Sequence, residues 1–361
     1  MKVAIHSDAA AHAIPGGIGA YVRCLVGEML RGTGDDDISL LVSRSSDVPA
    51  WPRETVRRSW LPLRALYASW NVLRWPPVRG FDIVHAPGLV VPPAPGARLV
   101  ATINDDTIER FPDLVPRVWR SLYRRGFRMA LDEAAVLCAI SGATKRRLVD
   151  AHGVAPERVV VTPLAPVVAP GHPTDDGIFR RCPVRPPYLL NVGTLEPRKN
   201  QAALVRAFVR ARLVEHQLVI AGTPGWGAAQ VQEAVEKSGA ANRIVVTGRV
   251  TDAELSALYA GADAFALPSV YEGFGLPLAE ALAYGLPCLA STDDALTEVG
   301  GDAMVVADPA DEAQLALAII RVCTDDDMRE VLRAAGPRRA ATFSWARTAE
   351  LTRGAWKAAA A

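Results

Sequence analysis

The chain has no Cys-x-x-Cys pair and no histidine–cysteine grouping at the spacing of a zinc site. Its five cysteines, Cys24, Cys138, Cys182, Cys288 and Cys323, are scattered. They read as reduced core residues in a reducing compartment. Net charge is nearly absent, +1 over 361 residues, so a global field that gathers nucleic acid is excluded. No apolar run reaches spanning length without proline or charge. The N-terminus, Met1-Lys2-Val3-Ala4-Ile5, lacks the apolar segment and cleavage site of a leader and reads as a strand. A soluble, cytoplasmic protein is expected. The Gly-x-Gly-x-x-Gly fingerprint of dinucleotide enzymes is missing too. No Asp-x-Asp stands at a strand end within a glycine-framed pocket, so a metal-dependent sugar transferase is disfavoured. No metal and no cofactor are expected.

Half of the chain is apolar, and its length exceeds one ordinary core, so two domains are expected. Short apolar strands alternate with longer amphipathic segments, the pattern of parallel sheets covered by helices. Strands are expected at 2–7, 38–43, 82–85, 98–103, 135–140 and 158–162, then at 188–192, 217–221, 243–246, 264–267, 288–290 and 304–306. Ser141 should cap a helix that Gly153 stops. Thr251 and Glu254 should form a capping box. Between Pro163 and Pro187 proline and glycine accumulate and periodicity fades, which is linker chemistry. The expected organisation is a first domain over 1–165, a second over 166–343 with linker 166–187, and a terminal helix over 344–361; the motifs within them mark the first as acceptor-binding and the second as donor-binding. Two doubly wound domains of this kind, facing each other, would enclose a cleft, with ligands beyond the carboxyl ends of the strands. The Asp clusters at 35–37 and 325–327 read as solvated loops or helix starts.

Two segments carry the chemistry. Glu272-Gly273-Phe274-Gly275-Leu276-Pro277-Leu278-Ala279-Glu280 sets two carboxylates eight positions apart around a glycine turn that enters a helix. Gly193-Thr194-Leu195-Glu196-Pro197-Arg198-Lys199-Asn200 places adjacent cations after a glycine turn. A diphosphate bears about two negative charges, and a site without metal must answer them with Arg and Lys. The same pair can stabilise charge that develops as a glycosidic bond breaks. Glycosidase carboxyl pairs lie roughly 5 to 9.5 Å apart. Two helical turns plus a loop suggest on the order of 10 Å or more, which disfavours hydrolase pairing. Separate roles follow: Glu280 for ribose hydroxyls and Glu272 for those of the transferred sugar.

These motifs resemble those of retaining family 4 glycosyltransferases with the GT-B fold, two Rossmann-like α/β domains, over nearly the whole chain. The resemblance implies the E-x7-E motif at Glu272 and Glu280 and diphosphate contacts from Arg198 and Lys199, beside Gly193 and Thr194. It implies main-chain contacts from Gly273, Phe274, Gly275 and Leu276, a base bordered by Arg249 and Val250, and a terminal helix that crosses back onto the first domain.

In the first half, Pro15-Gly16-Gly17-Ile18-Gly19 resembles the family's glycine-rich loop near donor and acceptor. Thr102-Ile103-Asn104-Asp105 stands where relatives carry Thr-x-His. The amide of Asn104 can position a sugar but cannot act as a base. Asp105 and Asp106 read as surface groups or acceptor contacts. His85 reads as a substrate contact or a satisfied histidine at a strand end. Five of the eight tryptophans lie between Trp51 and Trp119 among arginines, with a second basic stretch at Arg124-Arg125-Gly126-Phe127-Arg128. Such a face is either solvated helix surface or a membrane contact of the first domain at the inner leaflet.

The sequence therefore points to a metal-independent retaining glycosyltransferase. It would move a hexosyl unit from a GDP-mannose-, UDP- or dTDP-type donor to a glycan, a lipid-linked or a small-molecule acceptor. A sugar-nucleotide epimerase and a non-catalytic nucleotide-sugar binder are the alternatives.

Overall fold

The structure, a computed structural model, describes residues 1–11, 16–32, 34–49, 51–114 and 117–361. Pro15 of the glycine loop lies outside the described residues. The chain forms two compact units, Met1–Leu164 with Ser344–Ala361, and Ala165–Phe343.

The first unit holds seven parallel strands: β1 (Lys2–His6), β2 (Asp37–Val42), β3 (Val56–Arg58), β4 (Ile83–Ala86), β5 (Arg98–Ile103), β6 (Val136–Ala139) and β7 (Val159–Val161). Their order is β3-β2-β1-β4-β5-β6-β7. The second holds β8 (Tyr188–Val192), β9 (Gln217–Ala221), β10 (Ile244–Gly248), β11 (Ala264–Leu267), β12 (Cys288–Ser291) and β13 (Met304–Ala307), ordered β10-β9-β8-β11-β12-β13. Both sheets wind outward one way from their first strand and then reverse, so each has a switch point, at β1/β4 and β8/β11. Strands β4, β6, β9, β11 and β12 are buried along their whole length because helices cover both faces.

β3 is the strand that sequence pattern did not anticipate. Its three residues, Val-Arg-Arg, form a largely exposed edge and have no apolar alternation to read. The stretch 163–187 is not bare linker, since Gly177–Arg181 forms a short helix that buries Ile178. The Asp clusters divide. Asp325 caps the helix Asp326–Ala340, whereas Asp36 is paired with the N-terminal ammonium and Arg353, both at 3.4 Å. Three cysteines are buried, and Cys24 and Cys182 are only partly so; all five are free thiols.

Ser141 accepts a hydrogen bond from Thr144 N at 3.0 Å, and Gly153 ends that helix at φ +66°. The Thr251–Glu254 capping box is formed. The terminal helix Trp345–Ala360 begins at Ser344, whose hydroxyl accepts from Arg347 N, and it belongs to the first unit. Its anchor is Trp356, fully buried, whose Nε1–H donates to Nδ1 of His85 at 3.4 Å. That contact sets the histidine tautomer: with Nδ1 accepting, Nε2–H donates to Thr102 Oγ1 at 2.8 Å, and Tyr21 completes the chain at 2.9 Å. Burial pushes the His85 pKa down to about 3, so the ring is neutral. His85 is thus the satisfied strand-end histidine and not a substrate contact.

This network yields a stability prediction. Trp356→Ala should destabilise the first unit by about 3–5 kcal/mol. Trp356→Phe keeps most packing but leaves His85 Nδ1 without its donor, and should lose about 1–3 kcal/mol. Urea unfolding of both variants tests this, and equal losses would remove the anchoring argument.

Candidate active site

The β8/β11 switch point separates the loop after β8 (193–200) from the loop after β11 (268–275). Gly193 leaves β8 at φ +155°, and the Lys199 stem lies 3.5 Å from where its Cβ would stand. Pro197–Lys199 makes one tight turn, and Asn200, at φ +58°, starts the helix Gln201–Ala211. Asn200 Nδ2 donates to Pro268 O at 3.2 Å and Pro309 O at 2.8 Å, which fastens the two loops. A third loop closes on the first from β9. A Cβ on Gly222 would stand 2.0 Å from Gly193 O, and one on Gly225 2.6 Å from Leu195 O. Only glycine permits that approach. Sequence reading passed over both, although Gly222-Thr223-Pro224-Gly225-Trp226-Gly227 directly follows a strand.

The two loops meet in a buried ion cluster. Lys199 Nζ donates to Glu272 Oε1 at 2.6 Å and Arg198 Nη1 to Oε2 at 2.9 Å. Ser269 Oγ adds a bond to Oε1 at 2.7 Å. Arg198 also donates to Tyr271 O at 2.7 Å and to Glu196 Oε1 at 2.8 Å. Burial alone would raise the Glu272 pKa. The charges of Lys199 and Arg198 outweigh it and hold the carboxyl at about 2. Nearby, burial, with a contribution from Glu272, pushes Asp293 up to about 6. Ser269, Glu196 and Asp293 were not anticipated from sequence. Only the strand-end position of Ser269 could have suggested it.

The glycine turn follows. Gly275 has φ +96°, and a Cβ there would stand 2.4 Å from Leu296, so the residue must be glycine. Phe274 is buried against Phe343 with ring centroids 5.3 Å apart. The turn opens the helix Leu276–Ala283, whose second turn carries Glu280. Glu280 is buried, not solvated. Its Oε1 accepts from Val167 N and Val168 N, both at 3.3 Å, and its Oε2 from Tyr259 OH at 2.9 Å. With no cation beside it, burial pushes its pKa up to about 7. Glu272 and Glu280 therefore do not share a hydrogen-bond network.

Arg249, exposed, and Val250 follow β10 through Gly248 at φ +68°, and Arg181 donates to Arg249 O at 3.2 Å. Thr194 Oγ1 lies 3.4 Å from Thr223 Oγ1. In the first unit Gly16 and Gly17 follow β1, and Asn104 follows β5, the neighbour of β4. Gly16 and Gly17 are exposed at the start of the helix Gly17–Arg31, and a Cβ on either would meet nothing. No packing demand explains them. Asn104 Nδ2 donates to Pro87 O at 3.4 Å. Asp106 corrects the surface reading. It is buried and accepts from Arg147 Nη2 at 2.7 Å and from His152 Nε2 at 3.0 Å, which makes it a structural carboxylate.

Among the described residues, His216, Asp263 and Cys323 bring metal-capable atoms within 4.8 Å of one another. Asp263, however, accepts from Arg329 at 2.6 and 3.2 Å. A guanidinium in that position opposes a second cation, so the group is an ion pair.

Two family matches divide the chain as the units do. Glycosyl transferases group 1 matches residues 180–339, and Glycosyltransferase Family 4 matches residues 15–165. The chain is 31% identical over 282 residues to O-antigen chain mannosyltransferase B of Escherichia coli, covering 76% of this chain and 74% of that protein. It is 29% identical over 296 residues to MMP alpha-(1->4)-mannosyltransferase of Mycolicibacterium hassiacum, with 75% and 69% covered. Similar solved structures are sucrose-phosphate synthase from Thermosynechococcus elongatus (TM-score 0.77, 19% identity, 99% and 98% covered) and Anabaena Alr3699/HepE in complex with UDP and glucose (TM-score 0.72, 16% identity, 98% of each covered). At those identities the likeness is one of fold.

The two carboxylates predict opposite responses to pH. Glu272 is depressed from an ordinary 4.5 to about 2, so its stabilisation is present above about 4.5 and is lost as pH falls toward 2. Glu280 is raised to about 7, so the folded state holds its proton and stability falls as pH rises from about 4.5 to 7. Each effect is at most on the order of 3 kcal/mol. Glu280→Gln should flatten the profile between pH 5 and 7, and Glu272→Gln should flatten it below 4.5. Urea unfolding across that range is the measurement, and profiles parallel to wild type would refute the assignment.

Proposed function

The chain belongs to the group 1, family 4 glycosyltransferases, and we propose that it moves a hexosyl unit from a nucleoside-diphosphate sugar to a glycan or lipid-linked acceptor hydroxyl, with retention and without a metal. The resemblance of both relatives to mannosyl chemistry makes GDP-mannose the first donor to test, ahead of UDP- and dTDP-sugars.

One observation carries the reading: two cations held side by side by a buried carboxylate at a sheet switch point. Lys199 gives one N–H to Glu272 and retains two more for phosphate oxygens. The Arg198 fork is oriented by Glu196 and Tyr271 O before any ligand arrives. In the proposed reaction the bond from the anomeric carbon to the diphosphate oxygen breaks as the acceptor oxygen bonds to the same face. The acceptor proton passes to the departing phosphate oxygen, whose charge Arg198 and Lys199 stabilise. Glu272 holds the pair and presents its carboxylate edge to sugar hydroxyls. Glu280 takes a ribose hydroxyl, Arg249 and Val250 border the base, and Gly273, Phe274, Gly275 and Leu276 contribute main-chain N–H groups. Gly16, Gly17 and Asn104 serve the acceptor side and the transferred sugar.

Transfer from the three donor types to glycan acceptors, assayed with EDTA present, tests this reading. Arg198→Ala or Lys199→Ala should lower kcat about 100- to 1000-fold. Glu280→Gln should chiefly raise the donor KM. Normal turnover in the double alanine variant, or an inverted product, would overturn the proposal. Isomerised donor would indicate an epimerase, and binding without turnover a non-catalytic protein.

A further inference from the structure

We propose that the surface built by residues 51–80 docks onto an anionic lipid bilayer. This segment contains Arg53, Arg57, Arg58, Arg64, Arg74 and Arg79 against a single acid, Glu54. Its net charge is +5, while the rest of the chain carries −4, so the near-neutral total conceals a strongly positive segment. Among the described residues no carboxylate pairs with Arg53, Arg57, Arg64 or Arg79. Arg58 donates to Ser46 O at 2.7 Å, and Arg74 is tied to Glu133 and to Val91 O.

The same segment exposes apolar side chains. Trp60 is 60% exposed, Val72 54%, Leu73 71% and Trp75 48%. Among the described residues of the first unit, Ile18 alone joins them as an exposed large hydrophobic, so the four form a concentration and not a scatter. Trp60 and Trp75 meet edge to face with centroids 5.4 Å apart, which joins the two ends of the segment.

The scaffold holds these side chains out. The helix Leu63–Ala68 runs into a wider turn over Ser69–Leu73, and the pair buries Leu66, Trp70 and Asn71. Asn71 Nδ2 donates to Leu89 O and Leu122 O, both at 3.4 Å, and Trp70 Nε1 to Pro76 O at 3.0 Å. With that face committed to the core, Val72 and Leu73 are left on the outside. A cavity of about 540 Å³ adjoins Trp60, with Lys2, Arg57, Arg58 and Arg79 against one acid, Asp37, among its lining residues.

Tryptophan rings settle at the headgroup level of a bilayer, and guanidinium groups bind phosphate oxygens bidentately. Cationic groups around exposed apolar ones, outnumbering the acids Glu54, Asp37 and Glu133 beside them, match an anionic membrane surface in both respects. The second basic stretch is less available. Arg120 pairs with Asp113 at 3.4 Å, and Arg124 and Arg128 pair with Glu109 at 3.1 and 3.7 Å. The docking proposal does not depend on the transfer reaction.

The test is co-sedimentation of the full chain with phosphatidylcholine vesicles, with and without phosphatidylglycerol, at low and raised salt. Binding should require phosphatidylglycerol and weaken with salt. Arg57→Gln and Arg58→Gln should each lower partitioning about fivefold. Trp60→Ser with Trp75→Ser should abolish it and remove the quenching of tryptophan fluorescence by brominated lipid. Unchanged circular dichroism and unfolding temperature would show that these surface variants fold. Absence of binding to phosphatidylglycerol vesicles at low salt overturns the proposal, as does equal binding by the variants. Self-association lost in the same variants, without vesicle binding, would assign the patch to a second copy of the chain instead.

Discussion

The architecture of the β8/β11 switch point depends on one buried carboxylate. Removing Glu272 from water costs several kcal/mol, and that cost is offset only where its acceptor positions are filled and opposite charge is close. Lys199, Arg198 and Ser269 meet both conditions. The consequence is geometric. The cations come from the loop after β8 and the carboxylate from the loop after β11, neighbouring strands that are far apart in sequence. The ion cluster therefore fastens two loops across the point where the sheet reverses its winding. With Glu196 included, the cluster holds two cations and two carboxylates, so it is balanced before a ligand arrives. In the proposed reaction an incoming diphosphate would compete with carboxylates for donors already aimed, and it would not need to recruit mobile lysines from solvent. Preorganisation of this kind is what electrostatic catalysis requires.

The parts of this plan that are local in sequence were legible. The glycine turns, the Arg-Lys pair, the two glutamates and the helix caps at Ser141 and Thr251 each follow from a few adjacent residues. What escaped was set through space. Gly222 must be glycine because Gly193 O stands over it, a fact of loop packing that no spacing rule expresses. Asp106 looked like a surface acid because its partners, Arg147 and His152, lie more than forty positions away. β3 escaped for the opposite reason, since an exposed three-residue edge carries no burial pattern to read. His85 had two readings until the terminal helix delivered Trp356 to its Nδ1.

Glu272 and Glu280 show how little residue type alone decides. They stand on one short segment, and both are buried. One has two cations and is driven below the ordinary range; the other has only N–H and O–H dipoles and is driven above it. Divergent environments for paired carboxyl groups are a sign of divided roles. A permanently charged Glu272 suits a fixed electrostatic frame. A Glu280 poised near neutrality suits hydrogen bonding to neutral hydroxyls, where a full buried charge is not needed.

The partners of Glu280 carry this further. Its carboxylate has about four acceptor positions, and Val167 N, Val168 N and Tyr259 OH use three. The remaining one lies on Oε2, the oxygen that Tyr259 shares. A ribose hydroxyl that donated there, as proposed, would add a bond without displacing any existing one and would favour the ionised form. Val167 and Val168 follow closely on the boundary between the two compact units at Ala165. In the proposed complex, ionisation of Glu280 would strengthen its hold on those two main-chain N–H groups. If the proposed ribose contact forms, the nucleotide would thereby stiffen the first residues of the second unit through Glu280.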